Sequence, residues 1–147
     1  MKAVEAYFSP EKRAMVVEAI CAAEKDTSGE IRVHVDDKCP GDPMERALYW
    51  FRKLKMHRTN LRNGVIFYLA LEDRKFAILG DQGIDACTPD NFWQSIKEAM
   101  LPLLRDGMHA EALCLGIKLA GEKLKEHFPY QEKGDVNELS DEISFGS

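Results

Sequence analysis

The feature that most constrains the fold is a continuous apolar run at residues 65–71, VIFYLAL. Its β-branched and aromatic residues predict a central strand buried on both faces. Glu72-Asp73 predicts a tight polar turn, and residues 74–79 predict a second strand, so that the two strands form a hairpin. Polar, glycine-bearing loops at 59–64 and 80–83 flank the hairpin. Because a hairpin enters and leaves at the same end, these two loops are neighbours in space, and we expect functional residues there.

The remaining segments predict helices and one further strand. Residues 30–36 alternate between polar and apolar side chains, which is typical of a strand with one polar face. Asp42-Pro43 begins a helix at about 43–56 that links this strand to the central one, so the two strands run parallel. Other helices are predicted at about 10–25, 89–104 and 109–127. The domain is therefore expected to span 1–128. An acidic, mostly unstructured tail follows at 129–147, and its Ile143 and Phe145 can fold back onto the domain.

Charge and composition narrow the classes of partner. The net charge of −5 and the pI near 5.4 argue against nucleic acid, which attracts basic surfaces. The aromatic residues of the helices, Trp50, Phe51, Phe92 and Trp93, have the spacing of core residues. No window approaches the roughly 18 apolar residues of a membrane span, so no membrane insertion is expected. Four cysteines without a CxxC pair, and no secretory signal, predict reduced thiols and a cytoplasmic location.

Carboxylates near the two loops suggest a metal site. The start of the first strand, the entry loop and the exit loop meet at one end of the sheet. Calcium and magnesium prefer hard oxygen ligands. The predicted metal ligands are Glu30, Asp81 and Asp85, and Thr27, Ser28, Arg62 and Asn63 are predicted to line the same groove. The alternative interpretation is structural: a turn at the exit loop, and an arginine paired with a nearby carboxylate.

A second group of acids lies at the opposite end of the sheet. Ligands of open α/β sheets usually bind outside the carboxyl ends of parallel strands, which favours a site formed by Asp36, Asp37 and Asp73. The turn residues there have an equally good structural explanation. His34, on the polar face of the first strand, is a candidate general base or ligand, or else a hydrogen-bonded structural residue. The sequence has no Ser-His-Asp order, nucleophile elbow or P-loop by which to name a reaction.

The order of several short motifs resembles the TPM domain family. They are TSGEI at 27–31, RNGV at 62–65, the DR turn at 73–74 and GDQGI at 80–84, followed by a glycine-bearing helix. The resemblance extends over about residues 8–128. It implies a three-layer α/β/α sandwich with a mixed sheet, formed by a parallel strand–helix–strand unit and an antiparallel hairpin, with four main helices. Many family members carry a signal peptide and a membrane helix, so this chain resembles the stand-alone, soluble kind.

The resemblance also implies a function. Family members are associated with divalent cations, and a plant thylakoid-lumen member has been called an acid phosphatase. We therefore expect a module that binds calcium or magnesium and acts in protein interaction or repair, with a membrane-protein relative or another protein as partner. The alternative is a metal-dependent, acid-phosphatase-like hydrolase of phosphate esters, in which Arg62 stabilises the charge on the phosphate.

Overall fold

The computed structural model describes residues 7–130 and 139–146, which form one mixed sheet between helices. The strand order is β3-β2-β1-β4. In chain order the elements are α1 (Pro10–Ala23), β1 (Glu30–Asp36), α2 (Pro43–Lys53), a 3₁₀ turn (Met56–Arg58), β2 (Gly64–Ala70), β3 (Lys75–Gly80), α3 (Gln82–Asp85), α4 (Gln94–Arg105), α5 (His109–His127) and β4 (Ser144–Phe145).

The strand pairing confirms the crossover and the hairpin. β1 pairs parallel with β2, from Glu30 opposite Gly64 to Asp36 opposite Ala70. β2 pairs antiparallel with β3 as far as Ala70 opposite Lys75. The residues between these last two strands number four rather than the predicted two, because Leu71 has left the ladder and Arg74 adopts a left-handed φ of 53°. A four-residue turn still leaves the two strands adjacent, so the loops that flank the hairpin converge as expected.

The helices lie on both faces of the sheet and confirm the α/β/α sandwich. One core cluster joins the sheet to α1, α4 and α5 through side chains such as Ile20, Phe67 and Leu113. A second cluster joins the other face to α2, where Phe51 packs near Tyr68. Because it is covered on both sides, β2 is buried along its whole length. The apolar run in the sequence therefore identified the centre of the molecule.

Helix starts follow the sequence in two cases and differ in a third. Ser9 caps α1 by accepting a hydrogen bond from the Lys12 N–H, and Asp42 caps α2 in the same way. The predicted start of a helix at 89 is wrong, since α4 begins at Gln94 after a series of turns. The residues after β3 also form the short helix α3, where the sequence had suggested only a loop.

The C-terminal segment, residues 139–146, returns to the sheet. Its two-residue strand β4 pairs parallel with β1, with His34 opposite Ser144 and Val35 opposite Phe145. Ile143 and Phe145 pack against the larger core cluster, as expected. The rest of the predicted tail, at 131–138 and 147, lies outside the described residues, and the domain boundary at 128 stays a prediction. None of the helices among the described residues is long and apolar enough to span a bilayer.

Candidate functional site

The loop pole, formed by residues 59–64 and 80–83, is organised around one buried carboxylate. Asp81 is 6% exposed and accepts hydrogen bonds from Arg62 Nε at 2.7 Å and Nη2 at 2.9 Å. The same carboxylate caps α3 by accepting the Gln82 N–H at 2.8 Å. Arg62 reaches it from a left-handed backbone conformation, φ 50°. The predicted pairing of this arginine with a nearby carboxylate is therefore what the structure shows.

Backbone hydrogen bonds hold the two loops of the pole together. The Gly83 N–H donates to the Arg62 carbonyl at 2.8 Å, and the Asp81 N–H donates to the Gly64 carbonyl at 2.9 Å. A Cβ on Gly83 would lie only 2.2 Å from the Leu61 carbonyl oxygen and 2.6 Å from that of Arg62. Only glycine allows this approach, so the pole depends on it.

The start of β1 joins the loop pole through polar contacts. The Asn63 side-chain amide donates to Ser28 Oγ at 3.5 Å, and the Glu30 N–H donates to the Asn63 carbonyl at 3.3 Å. Thr27 Oγ1 accepts the Gly29 N–H at 3.0 Å and donates to the carbonyl of Phe128. These contacts place Thr27, Ser28 and Asn63 in the predicted region, where they join the start of β1 to the entry loop and to Phe128.

The predicted metal ligands divide into two groups. Asp85 is exposed, and partial burial, followed by the charges of Asp81 and Asp90, raises the pKa of its carboxyl. Glu30 is 4% exposed, and its charge is among those that raise the pKa of Glu24. The described residues contain no group of three or more His, Cys, Asp or Glu side chains that could hold a metal ion.

An acidic cluster that the sequence did not indicate lies between the end of α1 and the C-terminal segment. Glu24 accepts the Ile31 N–H at 3.1 Å. Burial, and then its hydrogen bond with Asp141, raise the pKa of Glu24 to about 9. Asp141 Oδ2 also accepts a hydrogen bond from Cys21 Sγ at 3.2 Å. A protonated Glu24 therefore joins α1 to the C-terminal segment at neutral pH.

This protonated carboxyl predicts a dependence of stability on pH. Its ordinary pKa is near 4.5, so between about pH 4.5 and 9 the folded chain holds a proton that the unfolded chain has released. The free energy of unfolding should therefore fall as the pH rises through this range. At about 1.4 kcal/mol per pKa unit, discounted for partial exposure, we expect a loss of about 2 kcal/mol between pH 5 and 9. Glu24→Gln should remove this contribution while keeping an acceptor for the Ile31 N–H.

Urea unfolding of the wild type and Glu24→Gln at pH 5, 7 and 9 would measure how steeply the free energy of unfolding of each protein falls with pH. Glu18→Gln, at an exposed position of α1, is the matched control and should follow the wild type. An equal pH dependence in the wild type and Glu24→Gln would contradict the prediction.

At the opposite end of the sheet, four side chains donate hydrogen bonds to the carboxylate of Asp36. The carboxylate accepts from His34 Nε2 and the Tyr68 hydroxyl at 2.8 Å each, from Trp50 Nε1 at 3.1 Å and from Arg46 Nε at 3.3 Å. Burial by itself would raise the pKa of Asp36, but the hydrogen bonds from His34 and Tyr68 overcome it and hold the pKa below its ordinary value. Asp36 is therefore an ionised structural centre whose oxygens are already engaged.

The other two acids proposed for that end are not drawn into the same cluster. Asp73 Oδ2 accepts the Cys39 N–H at 2.7 Å, which ties the hairpin turn to the loop after β1. Asp37 is half-buried next to Asp36, and its Oδ1 has no hydrogen-bond partner among the described residues. A cation at this end would have to compete with the donors around Asp36.

A serine, a histidine and an aspartate do form a hydrogen-bonded chain, which the sequence order had not suggested. His34 Nε2 contacts Asp36 and its Nδ1 lies 2.9 Å from Ser144 Oγ. Burial lowers the pKa of His34, and its ring stacks on Trp50 at 3.8 Å. In hydrolases the aspartate binds Nδ1 and the serine binds Nε2, the reverse of this arrangement. The chain fastens β4 to β1, and a Cβ on Gly146 would touch both His34 and Asp36.

Taken together, a mixed four-stranded sheet between two helical layers, with polar loops gathered at one end, defines an α/β/α sandwich of the TPM type. The family model described as the TPM domain matches residues 2–123. The chain belongs to the TPM domain family. No match is found among curated proteins.

Solved structures agree with this assignment. The NMR structure of the BA42 protein from the psychrophilic bacterium Bizionia argentinensis is 40% identical, with a TM-score of 0.90, over 99% of this chain and 100% of that one. The N-terminal domain of a P. gingivalis protein is 20% identical, with a TM-score of 0.65, over 82% and 78% of the two chains. The N-terminal domain of cg2496 from Corynebacterium glutamicum is 15% identical, with a TM-score of 0.62, over 95% and 80%. The last two show the fold alone.

Proposed function

We propose that this domain binds a divalent cation, calcium or magnesium, at the loop pole. Asp81 and Asp85 supply the carboxylate oxygens, and water completes the coordination shell. The observation that carries the proposal is the negative charge gathered at this pole, where partial burial and then the charges of Asp81 and Asp90 raise the pKa of the Asp85 carboxyl. Arg62 holds Asp81 through two hydrogen bonds, at 2.7 and 2.9 Å. In this arrangement the guanidinium neutralises the carboxylate that a cation would bind, so Arg62 and the cation compete for Asp81.

Electrostatics support this choice of carboxylates. The pKa of Asp85 is raised by partial burial and by two neighbouring acids, Asp81 and Asp90, so a nearby positive charge relieves repulsion. Glu30, the third predicted ligand, is buried within the region of Glu24 and is left out of the proposed site. With two carboxylates, the affinity should be modest.

The test is a titration of the protein with calcium and with magnesium, followed residue by residue by NMR and confirmed by calorimetry. Asp81→Asn should weaken binding by about tenfold or more, the equivalent of 1.4 kcal/mol. Asparagine caps a helix as well as aspartate does, so α3 should persist. Arg62→Gln should strengthen binding by about threefold or more, because the competing guanidinium is gone.

The matched control is Asp90→Asn, which removes a nearby negative charge without changing a proposed ligand. It should alter the affinity much less than Asp81→Asn. If the NMR shift changes caused by the cation were concentrated at Asp36, Asp37 and Asp73, the binding site would lie at the opposite end of the sheet. Weaker binding in Arg62→Gln would show that the arginine helps to form the site rather than competing for it.

The geometry favours binding over hydrolysis. A hydrolase needs an activated nucleophile, and the Ser144–His34–Asp36 chain has the reverse of the order used in hydrolases. We therefore place the domain among binding modules, acting in the cytoplasm with a protein partner, and keep the acid-phosphatase-like reaction as the alternative. Turnover of p-nitrophenyl phosphate with magnesium, abolished in Arg62→Gln, would reverse this preference.

A further inference from the structure

A cavity of about 390 Å³ lies away from the loop pole, where β2 ends and α4 meets α5. Its inner wall is apolar and is formed by Leu69, Phe76, Leu101 and Leu104. The volume suits a small organic ligand, and its position outside the carboxyl end of a parallel strand is where α/β sheets commonly bind ligands. Leu71 also lines the cavity, and most of the other lining residues carry polar groups.

The rim of the cavity is positively charged in a chain whose net charge is −5. Arg74 and Arg105 line it, both are exposed, and neither is in an ion pair with a described residue. Lys75, the third cation of the rim, donates to the carbonyls of Cys39 and Gly41, at 3.0 and 2.8 Å. Two unengaged guanidinium groups at the mouth of an apolar cavity favour an anionic ligand.

Two features of α5 also lie at this cavity. The helix has 19 residues and begins at the cavity without a side-chain cap from Met108, so the positive end of its dipole is directed there. His109, its first residue, lines the cavity and is 8% exposed. Burial lowers the pKa of His109, against an opposing backbone hydrogen bond with Gly107, so the ring is neutral at neutral pH. Its Nδ1 makes no hydrogen bond of good geometry among the described residues, and a neutral ring can offer one N–H to a ligand.

The C-terminal end of α4 also lies at the cavity, but its backbone carbonyls add little negative potential there. Its last carbonyls accept hydrogen bonds from the N–H groups of Asp106, Gly107 and Met108. These contacts satisfy the acceptors that would otherwise face an incoming anion. The N-terminal end of α5 therefore dominates the backbone contribution at the cavity.

We propose that this cavity binds a small amphipathic anion. Its apolar chain packs against Leu69, Phe76 and Leu104, and its carboxylate or phosphate head contacts Arg74, Arg105 and His109. The site is separate from the proposed cation site, so either proposal can fail without the other.

The test uses the full chain and four probes below their micelle concentrations: octanoate, octyl phosphate, neutral octanol and inorganic phosphate. NMR titration should show shifts of residues around the cavity with the two octyl anions and much weaker binding of octanol. The ratio of octanoate to octyl phosphate affinity identifies the preferred head group, and inorganic phosphate tests the need for the apolar chain. Arg105→Gln and Arg74→Gln should each weaken anion binding by about fivefold to tenfold, as expected for a lost charge-assisted hydrogen bond near solvent.

Arg52→Gln is the matched control, because this exposed arginine lies on α2, across the sheet, and should leave binding unchanged. His109→Phe keeps an aromatic ring beside Tyr7 and removes only the ring nitrogens, so it isolates their contribution. Absence of binding by both octyl anions would overturn the proposal. Equal affinity for octanol, or anion binding that is unchanged in both cavity arginine variants, would overturn it as well.

Discussion

Replacing Asp36 by alanine is expected to lower the free energy of unfolding by about 4 kcal/mol, the range found when one partner of a buried ionic cluster is removed. The carboxylate is fully buried and accepts four hydrogen bonds, so its loss leaves His34, Trp50 and Tyr68 with buried donors. It also leaves Arg46 without its ionic partner. Urea unfolding at neutral pH, followed by circular dichroism, measures the change.

Asp37→Ala is the matched control for this prediction. Asp37 is adjacent in the chain and carries the same group, but its Oδ1 makes no hydrogen bond among the described residues. We expect it to change stability by about 0.5 kcal/mol or less, as is usual for sites without engaged partners. If both alanine variants lose the same stability, the hydrogen bonds to Asp36 are not what stabilises this end of the sheet.

Replacing Gly83 by alanine is expected to destabilise the fold by about 3 kcal/mol, at the upper end of overpacking effects. The new Cβ would lie 2.2 Å from one backbone carbonyl oxygen and 2.6 Å from another, and neither belongs to a flexible side chain. The two loops of the pole would have to separate, which would also disturb the contact between Arg62 and Asp81. Thermal unfolding, together with NMR shifts of the loop residues, measures both effects.

The direction of the stability change in Gly83→Ala distinguishes the effect of steric crowding from the effect of helix propensity. Glycine to alanine in an unobstructed helix stabilises by about 0.5–1 kcal/mol, so crowding predicts the opposite direction. Gln82→Ala, at the exposed neighbouring position of α3, should be nearly neutral. A stable Gly83→Ala variant with unchanged loop shifts would show that the loops are less tightly joined than the structure indicates.

Local patterns predicted the elements that form the centre of this fold. The apolar run at 65–71 identified β2 because a strand covered on both faces must be apolar at every position. Hairpin geometry placed residues 59–64 beside residues 80–83, and the structure joins them through Arg62 and Asp81. Capping residues marked the starts of α1 and α2, since the exposed N–H groups there need acceptors within a few residues.

The polar face of β1 is a case in which the local sequence pattern did not predict the burial of the side chains. Alternation predicted a strand with one polar face, but Glu30, His34 and Asp36 are all buried. α2 and the C-terminal segment cover this face, and Asp36 receives its donors from residues of β1, α2 and β2. No local pattern encodes which distant donors surround a carboxylate.

The sequence by itself thus determined the first three strands, their relative directions and the meeting of the loops, because periodicity and the type of connection fix these locally. Only the tertiary structure decided that two residues near the C-terminus form β4, since so short a strand has no periodicity. It also decided that Glu30 is buried and that its charge contributes to the raised pKa of Glu24. The cavity beside Arg105 likewise exists only once β2, β3, α4 and α5 have packed, because each contributes one part of its wall.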